Sequence, residues 1–222
     1  AHEAVFTVAE VASDDPLPVM RAYTQGDTHL SAAYSFDFLY APTLTARRVR
    51  RAQGNWMGPY SEGWPSWAFS NHDAPRCVSR WYDGPDRPRF AKLTNALLFC
   101  LRGNPILYQG EELGLTQVDV PFVSLQDPEA IANWPRTLGR DGARTPMAWS
   151  REVPYAGFSA TQPWLPVGGD HPDLSVDVQT GDLESVLAFT QRFLGLRSAS
   201  KALRWGDVRF VDGADDLLIL IR

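Results

Sequence analysis

Cysteine is nearly absent. The two that occur in 222 residues, Cys77 and Cys100, exclude a disulfide framework and show neither metal-ligand nor redox spacing. Both read as small apolar residues in or beside helices. No run approaches the roughly 18 consecutive apolar residues of a membrane-spanning helix. A basic stripe is lacking too. Net charge is −5, and the one cluster, Arg47, Arg48, Arg50 and Arg51, reads as a solvated helix face rather than a nucleic-acid footprint. The chain opens at Ala1 with neither Met nor a signal peptide, almost directly on an apolar β-rich segment. That leads us to expect a piece of a longer polypeptide. Between residues 116 and 181 periodicity gives way to Pro, Gly and Asp. A loop of that length is uncommon in a domain unless it has a task.

What is present is organised around Trp67-Ala68-Phe69-Ser70-Asn71-His72-Asp73, an apolar run that breaks off into polar residues and then Pro75. A buried strand ending in ionisable groups is how a parallel α/β barrel presents its chemistry, because catalytic groups sit at the carboxyl ends of its strands. The plain alternative is a strand running out into solvent. Phe6-Thr7-Val8-Ala9-Glu10-Val11 repeats the pattern, with Glu10 interrupting it near its end. A carboxylate in a strand is expensive to bury without partners or a task. Two strands that each deliver an acid to one rim match glycoside hydrolysis, where one carboxyl protonates the leaving oxygen and others stabilise or attack the sugar.

The remaining segments alternate strand and helix. Strands are expected over residues 4–11, 33–39, 67–70 and 105–108. Helices are expected over 16–25 and 42–53, and from Pro85-Asp86-Arg87-Pro88 with Phe90, Leu93, Leu97 and Leu101 inward and Gly103 as the stop. Asp182 is expected to cap a last helix whose inner stripe is Val186, Phe189, Phe193 and Leu196. Such alternation argues for a parallel sheet with right-handed crossovers. From Asp207 the pattern changes to two short strands around Asp212-Gly213, the opening of an all-β domain. The expected division is therefore residues 1–205 and 206–222.

Four segments in order resemble signatures of the α-amylase superfamily, glycoside hydrolase family 13. They are Thr7-Val8-Ala9-Glu10-Val11, Phe69-Ser70-Asn71-His72-Asp73, Tyr108-Gln109-Gly110-Glu111-Glu112-Leu113-Gly114 and Asp141-Gly142-Ala143-Arg144-Thr145-Pro146-Met147-Ala148-Trp149. The resemblance is to the α-glucosidase and oligo-1,6-glucosidase branch and runs from about residue 5 to the end. It implies an α/β fold: the C-terminal half, strand–helix units five to eight, of a TIM (β/α)8 barrel, followed by the start of a β-rich domain. A whole barrel takes about 250 residues or more. The first four units are thus expected in a second chain or another segment of the same polypeptide, because a half-barrel leaves two strand edges bare.

The resemblance also implies roles. Glu10 is the general acid/base, kept protonated by enclosure. Asp73 grips sugar hydroxyls and stabilises the oxocarbenium-like transition state. His72 and Arg144 bind the same sugar, and Phe36 walls the leaving-group side. The family's nucleophile, an Asp on the fourth barrel strand, is not among these residues. Glu111 and Glu112 read as mainly structural. No cofactor is implied, and a family calcium belongs to the early loops. Most of the eight tryptophans read as pins for long loops, the alternative being sugar stacking.

The activity implied is a retaining, exo-acting α-glucosidase on maltose-like substrates, with transglucosylation as a side reaction. Oligo-1,6-glucosidase and sucrose isomerase are the alternatives within the fold. A non-catalytic partner subunit would have lost its acids, and here Glu10, His72 and Asp73 are all in place. An inert structural half, active only when complemented, is the remaining reading. With no disulfide framework, a cytoplasmic home is expected and a periplasmic one is the alternative.

Overall fold

The computed structural model describes residues 5–11, 13–26, 28–58, 63–137, 139–214 and 216–222. The expected strand start at residue 4 lies outside them, as do Asp27, just past the first expected helix, and residues 59–62, between the second expected helix and the third expected strand. Two compact units divide the chain. One comprises residues up to Ala68 with Leu97–Ile106 and Gly195–Arg222; the other is Phe69–Ala96 with Leu107–Leu194.

The first unit holds a four-stranded sheet in the order β1 (Val8–Glu10), β2 (Ala32–Ser35), β3 (Pro65–Ala68) and β4 (Asn104–Ile106). Every pairing is parallel, with Val8 opposite Ala32, Ala33 opposite Pro65 and Ser66 opposite Asn104. Each crossover carries a helix: α1 (Pro16–Thr24), α2 (Ala46–Gly54), then α3 (Cys77–Trp81) and α4 (Arg87–Cys100). Pro16 opens α1 where its fixed φ and absent N–H cost nothing. Thr45 caps α2 by accepting from Arg48 N. Val49, Ala52 and Gln53 of α2 are buried; of the arginines expected on a solvated face, Arg47 and Arg51 are exposed, whereas Arg48 and Arg50 are half-buried and Arg50 donates to Leu217 O.

The sheet core is anchored on β3, all four residues of which are buried. The Trp67 indole donates to Arg102 O at 2.6 Å and meets Phe38 edge-on at 5.6 Å. Gln53 clamps the same turn, donating to Arg102 O and accepting from Arg102 N. Gly103 follows with φ +128°, and a Cβ there would lie 2.6 Å from Pro65 O, so only glycine lets α4 turn this tightly into β4. The strands are shorter than expected. Phe36 to Tyr40 leave β2 as a turn, in which the Ser35 hydroxyl donates to Asp37.

Two helical stripes differ from the expectation. On α4 the buried residues are Ala91, Thr94, Asn95, Leu98 and Phe99, whereas Leu93 is 58% exposed. The last long helix, α7 (Val186–Ala199), buries Val186, Thr190 and Arg197 and exposes Leu196 at 57%. Hydrophobic period misled because polar side chains occupy the buried faces, each satisfied there. Asn95 Nδ2 donates to Glu111 O and to Thr190 Oγ1, both at 3.0 Å. Arg197 Nη2 donates to Gly103 O at 2.8 Å. The α7 amide of Ala188 is capped by Ser185 Oγ, and Asp182 instead holds the preceding turn through Glu184 N.

The 116–181 segment carries α5 (Pro128–Asn133), α6 (Val176–Gln179) and several single 3-10 turns. After α8 (Lys201–Trp205), β5 (Arg209–Val211) and β6 (Ile219–Ile221) pair antiparallel, as the change of pattern at Asp207 suggested. Among the described residues no helix is long and apolar enough to cross a membrane.

Candidate active site

In the second unit, Phe69, Ser70 and Asn71 continue buried from the end of β3. The Asn71 side-chain oxygen accepts from Asp73 N at 2.9 Å and Ala74 N at 2.8 Å. This local turn throws the next side chains outward. His72 and Asp73 are accordingly 65% and 31% exposed. Ser70 faces inward, donating to Glu111 Oε1 at 2.6 Å and accepting from Cys77 N at 2.8 Å.

Arg144 reaches Asp73 from across the fold. Its Nη2 donates to Asp73 Oδ1 at 2.8 Å and its Nε to His72 O at 2.7 Å. Arg140 Nη1 donates to the same Oδ1 at 3.3 Å. Asp73 Oδ2 is left to face His72 Nε2 at 3.5 Å. The turn that supplies both arginines is rigid. Asp141 is fully buried and accepts from Gln126 N and Asp127 N, and a Cβ on Gly142 would lie 2.1 Å from Val118 O. Arg76, buried, ties the turn to the segment after β4 through Gln109 O and Ala143 O, and Tyr108 donates to Ala143 O as well.

His72 and Arg144 line a hollow of about 530 Å³ with Tyr108, Gln109, Glu112 and the aromatics Trp149, Phe158 and Trp164. Gln109, Glu112 and Thr145 each carry a side-chain oxygen that is closed to solvent and has no hydrogen-bond partner among the described residues. A concave, largely apolar hollow with a few polar side chains in its lining is the usual form of a small-molecule site. Trp149 and Trp164, more than half exposed, are walls of this hollow, whereas Trp56 and Trp67 are the buried pins.

The other candidates lie in the first unit. Glu10 ends β1 opposite Tyr34, and its side chain is exposed rather than enclosed. The cause is topological, since β1 borders only β2 among the described residues. Phe36 packs edge-on against Tyr34 at 5.4 Å and stacks on Tyr40 at 6.3 Å.

Sequence reasoning missed Arg140, Asp127 and Arg76, and it assigned Glu112 mainly to structure although Glu112 lines the hollow. Arg140 could have been noticed from its place beside Asp141. Asp127 and Arg76 carried no signal. Among the described residues no cluster of three or more His, Cys, Asp or Glu is arranged to hold a metal ion.

Glu111 did prove structural. Burial pushes its carboxyl above the usual range, partly offset by Ser70, Tyr108 N and Cys77. A carboxyl whose folded value is raised holds its proton in the native state after the unfolded chain has lost it. Stability therefore declines as pH climbs from about 4.5 and levels off above the folded value. Glu111→Gln is expected to flatten that decline, read from denaturant unfolding at acidic and neutral pH. An unchanged slope would reject the assignment.

A description of the α-amylase catalytic domain matches residues 1–206 of the chain. A probable alpha-glucosidase of Rhizobium meliloti (strain 1021) is 43% identical over 221 residues, 99% of this chain and 40% of that protein. A glucan 1,6-alpha-glucosidase of Streptococcus pneumoniae is 32% identical over 205 residues, 82% of this chain and 38% of its own length. Among solved structures, the alpha-glucosyl transfer enzyme XgtA superposes with a TM-score of 0.90 at 42% identity, over 97% of this chain and 40% of its own. The α/β fold is thus similar to that of the family's barrel enzymes, and the chain spans 40% of the length of the first of these relatives.

Proposed function

Because the chain belongs to the α-amylase family, we propose that it is the second half of the catalytic barrel, units five to eight, of a retaining α-glucosidase acting on maltose-like saccharides. The observation that carries this is the state of Asp73. Two guanidiniums donate to one of its oxygens, and the other faces His72. A carboxylate held in this way keeps one oxygen as an acceptor for sugar hydroxyls beside a ring that is becoming cationic. Trp149 and Trp164 suit stacking on a sugar face.

In this reading Glu10 protonates the leaving oxygen and later activates water, and Phe36 walls the leaving-group side. The nucleophile comes from the first four units, carried by a separate chain or by the same polypeptide. No cofactor is required, and any structural calcium belongs to those units. Acceptance of a sugar hydroxyl in place of water gives transglucosylation, in keeping with the transfer activity named for XgtA. The oligo-1,6-glucosidase alternative is favoured by the 1,6-specific streptococcal relative. The compartment we propose is the cytoplasm, since both cysteines are free.

The test is the anomeric form of the first glucose released. The complete enzyme should release α-glucose from p-nitrophenyl α-glucoside, followed by proton NMR before mutarotation, while this chain alone leaves that substrate intact. Initial β-glucose would refute retention, and turnover by the chain alone would refute the shared barrel. Relative rates on maltose, isomaltose and sucrose then assign the bond.

A further inference from the structure

We propose that Asp127 is a positioning residue: it holds the Arg140 fork so that one nitrogen alone reaches Asp73, which keeps the outer oxygen of Asp73 open to substrate. The proposal rests on the reading of Asp73 as the sugar-gripping carboxylate.

Asp127 is a carboxylate with a fully buried side chain. Its Oδ2 accepts from Arg140 N at 2.9 Å and Nε at 3.0 Å; its Oδ1 accepts from Arg140 Nη2 at 2.8 Å and from Glu129 N at 3.3 Å. Its own amide is pinned by Asp141 Oδ2 at 2.8 Å. Both ends of the contact are therefore fixed by backbone. The Arg140 fork is engaged by Asp127 through Nε and Nη2, leaving Nη1 for Asp73.

A guanidinium with a free fork prefers to take both oxygens of a carboxylate. Asp73 Oδ1 already has Arg144 at 2.8 Å. Released from Asp127, Arg140 would close over Oδ2 as well, displace the approach of His72 and cover the oxygen that a sugar hydroxyl needs. A simple staple for the 127–140 loop would account for the ion pair. It gives no reason for the third nitrogen of Arg140 to meet Asp73.

The test uses the complete enzyme. Asp127→Asn should lower kcat/KM for maltose at least tenfold. Adding Arg140→Met in the same molecule should restore at least threefold over the single variant, because the intruding guanidinium is gone. A double variant no better than the single, or a single variant equal to wild type, overturns the proposal. A crystal structure of Asp127→Asn should show Arg140 on both oxygens of Asp73, and an unmoved Arg140 overturns it without reference to turnover. If Asp127→Asn does not fold, Asp127→Glu retains the ion pair but advances the fork by one methylene. It should raise KM at least threefold in the folded variant, and an unchanged KM is the contrary result. A wild-type enzyme inert on every α-glucoside would sink the reading of Asp73 instead, while the crystal structure still decides the clamp.

Discussion

Asp73→Asn in the complete enzyme is expected to lower kcat/KM for maltose by about 10³-fold or more while leaving the fold intact. Asparagine has the shape of aspartate, so packing after β3 is preserved. The two arginine donors on Oδ1 fix its orientation. The amide oxygen must face Arg144 and Arg140, which turns the amide NH2 toward His72. A donor then stands where sugar hydroxyls need an acceptor, and the negative charge beside the forming oxocarbenium is gone. Hydroxyl contacts that tighten in the transition state supply several kcal/mol, and each 1.36 kcal/mol is about a factor of ten in rate. The measurement is steady-state kinetics beside a thermal melt. A loss below about tenfold with an unchanged melt would remove Asp73 from the chemistry.

Glu10→Gln should separate substrates by their leaving groups. Proton transfer to a departing oxygen is worth about 10²–10⁴-fold when the leaving group is poor. Maltose, which expels a sugar alkoxide, should lose about that much. α-Glucosyl fluoride, whose leaving group needs little assistance, should lose less than about tenfold. Glutamine keeps the size of the side chain, so β1 retains its register on β2 at Glu10 and Tyr34. On the proposed function, the other walls around the exposed Glu10 would come from the first four barrel units. Equal losses on the two substrates would disprove the acid role.

The legible part of the fold was its alternation. All four parallel strands and the four longest helices could be placed, because apolar runs, proline starts and glycine stops act within a few residues of themselves. The helical faces were less readable. Leu93 and Leu196 looked like core and are exposed, while Asn95, Thr190 and Arg197 looked like surface and are buried. Their burial depends on partners such as Glu111 O and Gly103 O, which lie elsewhere in the chain. At the site, the break of an apolar run into Asn71, His72 and Asp73 was legible, whereas the turn that Asn71 closes on Asp73 N and Ala74 N was not. The tryptophans could not be sorted: wall and pin have the same composition, and only exposure separates Trp164 from Trp67.

The sequence by itself determined the alternation of strand and helix, because apolar runs and their proline and glycine breaks are local, and it determined the family through four short motifs in order. The tertiary structure alone decided what surrounds Asp73. Arg144 and Arg140 stand 71 and 67 residues from it, and Asp127 lies 13 residues before Arg140 in a segment with no periodicity. Electrostatic contacts of that kind depend on distance in space, and a chain that folds back on itself brings charges together without leaving a pattern in their spacing.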